Sequence, residues 1–311
     1  MTLITTPGMH PHITPTQYFG EPCPSPALTN TFIKLAVHDT MADVAHCHPA
    51  IGQPVEEKLA VIAKRLGDVT HQIALGKGKG YRISDHERWD RRNKDVDAFL
   101  TGCERDGITP IKRKDYEAAT EMSGVLREAI QSTLNSIAKA RGVPVPEGGI
   151  PYETEVPFAW TETVDGVTVW CRGMLDVWCP LLMVALDPKI TARTRDGIVN
   201  AHIENMGWAT QGAFYLRGLE AIHPTHAGRI IFADVLVRPK APHLVRKVKI
   251  SEAWRTIADV DIRTALERFA EAQSTGQWPG FSDDIETLDA PSWAAKRALE
   301  RELAEEMEDA Q

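Results

Sequence analysis

Apolar residues recur at helical spacing around Thr29 (Leu28, Phe32, Ile33, Leu35, Ala36), which predicts a short helix capped by that threonine. A second helical pattern runs from Val55 to Leu66 through Leu59, Ile62 and Ala63, and it continues past His71 to Leu75 if Gly67 is tolerated inside it. The basic stretch KGKGYRISDHERWDRRNK follows, with two glycines and no periodicity, and reads as a loop. The longest periodic run spans residues 112 to 141. Tyr116, Ala119, Met122, Leu126, Ala129, Ile130, Leu134 and Ile137 share one stripe, so this is a long amphipathic helix. Gly142, Pro144, Pro146 and Gly148 end it.

From residue 151 the period drops to two. ETEVPFAWTETVDGVTVWCRGMLDVW holds two β-rich runs around Asp165-Gly166, a strong hairpin signal. LLMVALD is short and continuously apolar, as a strand covered on both faces would be. Residues 196 to 219 read as a helix capped by Asp196 and ended near Gly218; GRIIFADVLV reads as a strand, HLVRKVKI as a strand or loop, and Ser251 to about Gln273 as a helix. From Tyr152 the order is βββαβ, which predicts an α/β (α+β) fold with a mixed sheet. The expected organisation is an N-terminal helical region over 1–150, a core over 151–276, and a C-terminal arm with a charged helix over 277–311, all within one continuous domain.

The chain has 311 residues, 43% hydrophobic and 25% charged, which excludes wholesale disorder and a fibrous repeat. No stretch approaches the apolar length of a membrane span and the start lacks a secretory pattern, so a cytoplasmic location and no membrane partner are expected. Cys23, Cys47, Cys103, Cys171 and Cys179 form an odd set without a C-x-x-C pair and read as reduced thiols. A formal net charge of -8 excludes bulk electrostatic coating of nucleic acid while leaving room for a local basic groove.

The chemistry gathers on Asp176, Asp187 and Lys189, ionisable residues at the ends of apolar strands. If Pro180 to Met183 form a four-residue turn, antiparallel register sets Asp176 across from Asp187 with Cβ atoms about 5 Å apart. Lys189 lies two residues further on the same face. Two carboxylates so close call for a cation or a shared proton, and oxygen ligands favour Mg²⁺ or Mn²⁺. Pro188 fits where a ladder ends, with its carbonyl free to coordinate. A surface hairpin with scattered charges explains these three residues equally well. Gln211 and Tyr215, one turn apart on the following helix, share a face and could grip a phosphodiester or a base edge. His71 by itself reads as a structural histidine.

Taken together, His71 in LGDVTHQIAL, Asp176 in CRGMLDVW, Asp187 and Lys189 in ALDPKIT, and Gln211 with Tyr215 in QGAFYLRGL resemble the phage-type exonuclease VIII (RecE-like) branch of the PD-(D/E)xK nucleases, related to the RecB nuclease domain and lambda exonuclease. The stretches YFGEPCPSPALTNTFIKLA and QWPGFSDDIETLDAPSWA also resemble the ends of phage-borne members. The resemblance implies a restriction-endonuclease-like αβββαβ core. It makes Asp176, Asp187, His71 and the Pro188 carbonyl the ligands of Mg²⁺ or Mn²⁺, and Lys189 the residue that activates water. Gln211 and Tyr215 fall on the helical Q-x-x-x-Y motif. Glu153 and Glu155 match the family only loosely and are not assigned as ligands. Asp187 stands where many such enzymes carry Glu, and Pro188 is an unusual neighbour for it. Related nucleases hold an iron–sulfur cluster through late cysteines; no cysteine follows Cys179, so no cluster is expected.

The function so implied is metal-dependent exodeoxyribonuclease action on double-stranded DNA ends, 5′-to-3′, leaving 3′ single strands for phage-type recombination. A single-strand annealing protein is the implied partner and a homo-oligomeric ring the implied assembly. An endonuclease or flap-type nuclease on the same core, and a catalytically silent DNA-end-binding protein, are the alternatives. KGKGYR and RPKAPHLVRKVK are candidate backbone contacts, although solvated surface is the commoner role of such runs.

Overall fold

The computed structural model describes residues 3–52, 62–78 and 80–309. The N-terminal part contains β1 (Gly8–Met9), α1 (Pro15–Phe19), β2 (Ala27–Leu28), α2 (Asn30–His38), α3 (Met41–Cys47), α4 (Ile62–Leu75), β3 (Tyr81–Ser84), α5 (Lys94–Asp106), β4 (Thr109–Lys112) and α6 (Arg113–Ala140). There follow β5 (Glu153–Val164), β6 (Val167–Cys179), β7 (Val184–Ile190), α7 (Ile198–Met206), α8 (Trp208–Ile222), β8 (Ile231–Val237), β9 (Val245–Val248), α9 (Glu252–Thr275) and α10 (Ser292–Asp309). The chain divides after Pro279 into two compact units, the second being residues 280–291 and α10. Among the described residues no helix is long and apolar enough to cross a membrane.

The main sheet runs β1-β5-β6-β7-β8-β9 and is mixed: β7 pairs parallel with β8, and the other pairs along this path are antiparallel. The hairpin β5–β6 turns on Asp165 and Gly166, both at positive φ (48° and 81°), the conformation that Asp-Gly supplies at low cost. α4 and α6 cover one face, packing on Val177, Val184, Leu186, Val235 and Val237. On the other face Phe158, Trp160, Trp178, Ala185 and Phe232 meet α2, α8 and α9. Both faces of β7 are therefore buried, which is why its sequence shows no alternation.

Several expectations change. The N-terminal region is not purely helical, since β1 adds to β5, and β2 pairs parallel with β6 at Trp170 and Cys171. The expected 196–219 helix is two helices, because Gly207 takes the left-handed conformation (φ 63°) and ends α7. A Cβ there would sit 2.3 Å from Lys34 Cε, the movable end of a side chain, so the left-handed φ more than the crowding favours glycine. Asp196 does not cap α7, whose N-cap is Gly197; its carboxylate instead pairs with Arg246 at 2.6 Å. The basic stretch expected to be a loop contains β3, paired in parallel with β4 and too short for periodicity to reveal. The Val55–Val61 part of the second helical pattern lies outside the described residues, whereas Gly67 sits inside α4.

Candidate active site

A fork in the sheet builds the site. β6 and β7 pair at Cys179↔Val184, Trp178↔Ala185 and Val177↔Leu186, the register expected from a Pro180–Met183 turn, and then the ladder stops. The next rung would join Asp176 to Asp187. Instead the strands part there, β7 staying with β8 as far as Ile190↔Val237 while the far part of β6 takes β2 as neighbour. Pro188 falls just past the fork, where its missing N–H leaves no donor unpaired on the side β6 has left. A cleft of about 660 Å³ opens here, reached by Asp176, Asp187, Lys189, Gln211 and Tyr215.

His71 arrives from α4. Its Nε2 lies 2.9 Å from the Pro188 carbonyl oxygen, and its Nδ1 lies 3.8 Å from Asp176 Oδ2. Lys189 Nζ donates to Gln211 Oε1 (3.0 Å), while Gln211 Nε2 donates to Asp187 Oδ1 (2.9 Å). The Lys189 ammonium also rests against Asp187 Oδ2, which accepts no geometrically formed hydrogen bond. Asp187, Gln211 and Lys189 thus close a triangle, and the amide is spent on positioning rather than left free to grip a ligand. Tyr215 is buried with its phenol against the Met174 backbone, and its ring meets Phe158 and Phe232 edge-on. It reaches β6 because Gly173 has no Cβ, which would lie 2.6 Å from Phe158 and 2.8 Å from Tyr215.

Carboxyl groups crowd this point. Burial, reinforced by Asp187, lifts the pKa of Asp176 to about 6 against the pull of His71 and Lys189. Burial lowers the affinity of Lys189 for its proton, but Asp187, Asp176 and Asp234 outweigh it and hold the ammonium charged above its ordinary range.

Two acids unassigned from the sequence join the row. Asp234 on β8 stands in register with Asp187, is 2% exposed, and has an Oδ1 with no hydrogen-bond partner. Burial and then Asp187 push its pKa to about 8. The available signal was an Asp inside the apolar run GRIIFADVLV, where an ionisable group is rare without a purpose. Glu155 on β5 occupies the skipped rung opposite Asp176, at a left-handed φ of 47°, with a buried and unpartnered Oε2. Burial raises its pKa against Lys77 and His71. Adjacent strands β5, β6, β7 and β8 therefore each present one carboxyl group. Glu153, two residues before, is exposed and paired opposite Trp178, away from this row.

Among the described residues no three His, Cys, Asp or Glu side chains are gathered tightly enough to hold a metal ion as they stand. The donor set nonetheless fits one. The carboxyl groups of Glu155, Asp176, Asp187 and Asp234 outnumber the nearby cations, and Asp234 Oδ1 and Glu155 Oε2 are buried without a hydrogen-bond partner. A hydrogen bond of 2.9 Å keeps His71 Nε2 and the Pro188 oxygen, two further atoms able to ligate a cation, side by side. In the two basic segments, four of the described Lys and Arg side chains have partners within the protein. Lys77 donates to Thr154 O, Arg82 pairs with Asp106, Arg246 with Asp196, and Lys247 with Ser132.

No family model matches the chain, and no curated protein matches it. Among solved structures, a protein from Eubacterium rectale described as a "putative exonuclease" superposes with a TM-score of 0.51 at 11% identity, over 85% of this chain and 90% of its own. The protein SSO0001 aligns over 72% of this chain and 91% of its own at 16% identity, with a TM-score of only 0.25. The first likeness is one of fold, an α/β architecture around a mixed sheet.

Proposed function

We propose that the chain is a metal-dependent deoxyribonuclease with a PD-(D/E)xK core, acting as an exonuclease on double-stranded DNA ends. The observation that carries this reading is the Asp187–Gln211–Lys189 triangle at the fork of β6 and β7, with Asp176 and His71 beside it. The exonuclease description of the structural neighbour is in keeping with it. Asp176, Asp187, His71 and the Pro188 carbonyl would hold Mg²⁺ or Mn²⁺, whose chemistry there is charge stabilisation and acidification of water. Lys189, aimed by Gln211, orients the attacking water and offsets the negative charge carried by the phosphoryl oxygens. Tyr215 fixes α8 against β6 and so keeps Gln211 in reach. Polarity from 5′ to 3′, an annealing-protein partner and a ring assembly belong to the proposal through the family resemblance.

The test is incubation of purified protein with linear and with covalently closed circular duplex, in Mg²⁺ or in EDTA. Loss of the linear form alone, and only with Mg²⁺, is expected. Cutting of the circle moves the endonuclease reading to first place, and binding of ends without hydrolysis favours the silent end-binding protein.

A further inference from the structure

The cleft that holds the carboxylates has a second end, formed by α1. Phe19, its last residue, is 61% exposed although it lines this cleft together with Asp176 and Lys189. It is the most exposed aromatic side chain among the described residues of the unit ending at Pro279. An apolar ring left in water beside a catalytic centre calls for a flat partner, and its mounting is rigid. Phe19 packs edge-on against Tyr18, with ring centroids 5.3 Å apart. Tyr18 is buried, its carbonyl accepts from the Arg172 guanidinium at 2.9 Å, and the same guanidinium lies 4.5 Å from its ring centre. Arg172 is itself 3% exposed and is held by Glu21, on which His48 also converges at 3.3 Å. Arg172 and Asp176, four residues apart on β6, both line this cleft. The exposed ring is thus braced, through Tyr18 and Arg172, on the strand that carries Asp176, and the charge of Arg172 is already neutralised by Glu21.

We infer that Phe19 is a stacking platform for a nucleobase of the DNA strand being cut, a subsite of the nuclease proposed above and resting on that reading. A π face suits this ligand because every base presents one, so the platform would hold the strand near the carboxylates without selecting sequence.

The experiment compares kcat/KM on linear duplex with intact terminal nucleotides and on duplex carrying an abasic site at each of the first three positions of the cut strand in turn. For the wild type, one abasic position should lower kcat/KM about ten-fold, within what one base–aromatic stack supplies. Phe19→Leu keeps apolar bulk without the π face, and should lose about the same factor on intact DNA and be indifferent to the abasic site. Phe19→Tyr should restore both. Equal wild-type rates on intact and abasic ends overturn the platform while leaving the nuclease reading standing. An abasic penalty that persists in Phe19→Leu does the same, as does a change of oligomeric mass in that variant, which would make Phe19 a subunit contact. A wild type that cuts neither substrate overturns the nuclease reading, and this subsite with it.

Discussion

Gln211 joins the two charged groups on which hydrolysis would depend, so truncating it should act through geometry. At saturating metal Gln211→Ala is expected to lower kcat while the metal requirement stays put. His71→Ala should do the reverse, raising the Mg²⁺ or Mn²⁺ concentration for half-maximal cleavage, because a neutral imidazole is a ligand and its loss leaves the Lys189–Gln211 contact intact. Overlaid metal titrations for His71→Ala and wild type would make this histidine structural. Asp176→Asn, Asp187→Asn and Lys189→Ala each remove charge that nothing else supplies. Each should cost on the order of 3 kcal/mol or more of transition-state stabilisation, about a hundred-fold in rate, with the thermal transition retained. Full activity in any of the three removes that residue from the site.

At the scale of elements, two glycines show how close packing decides what backbone position tolerates. Gly173 lets α8 approach β6, and the alanine Cβ would collide with two aromatic rings. Gly173→Ala should therefore destabilise by about 1–3 kcal/mol and displace Tyr215. Gly67 is the opposite case, inside α4 with nothing within 4 Å of a new Cβ. Gly67→Ala should stabilise by about 0.5–1 kcal/mol, through helix propensity and a less flexible unfolded chain, without changing activity. Thermal melts of the two variants beside wild type check both signs; a destabilised Gly67→Ala would show that α4 needs this glycine. The break at Gly207 comes instead from its left-handed φ, which the 3.6-residue pattern of 196–219 does not reveal, since both α7 and α8 bury apolar residues on either side of it.

For the whole molecule, the row of carboxyl groups ties stability to pH. Asp234 ionises at about pH 8 in the folded protein, far above the unfolded value of about 4, because burial and Asp187 disfavour its charge. The folded state thus binds this proton more tightly. Its contribution is fully present below about pH 4 and is lost as the pH rises through about 8. Asp176 adds a loss of the same sign up to about pH 6, discounted for its 22% side-chain exposure. In EDTA the melting temperature should fall from pH 5 to pH 8, and Asp234→Asn should flatten that slope by a few degrees. Mg²⁺ at about a hundred times its dissociation constant should restore about 2.7 kcal/mol. A wild-type melting temperature that is flat over this range would show that Asp234 is not held protonated.

Periodicity is local, and what is local was legible in the sequence. The 28-residue α6, the Asp-Gly hairpin, the Thr29 cap, the helix that starts at Ser251 and the register of β6 on β7 all follow from residues near one another in the chain. So do the candidates Asp176, Asp187 and Lys189, since ionisable groups interrupting apolar strands are visible without coordinates. Only the tertiary structure brings His71 to the Pro188 carbonyl, sets Asp234 in register with Asp187, turns Glu155 into the left-handed region opposite Asp176, and places Phe19 in the same cleft. Apart from the backbone twist at Glu155, which lies within the hairpin, those meetings join residues far apart in sequence, through parallel pairing and helix-on-sheet packing. Neither leaves a short-range pattern, because the burial of the whole core, rather than any one segment, stabilises them.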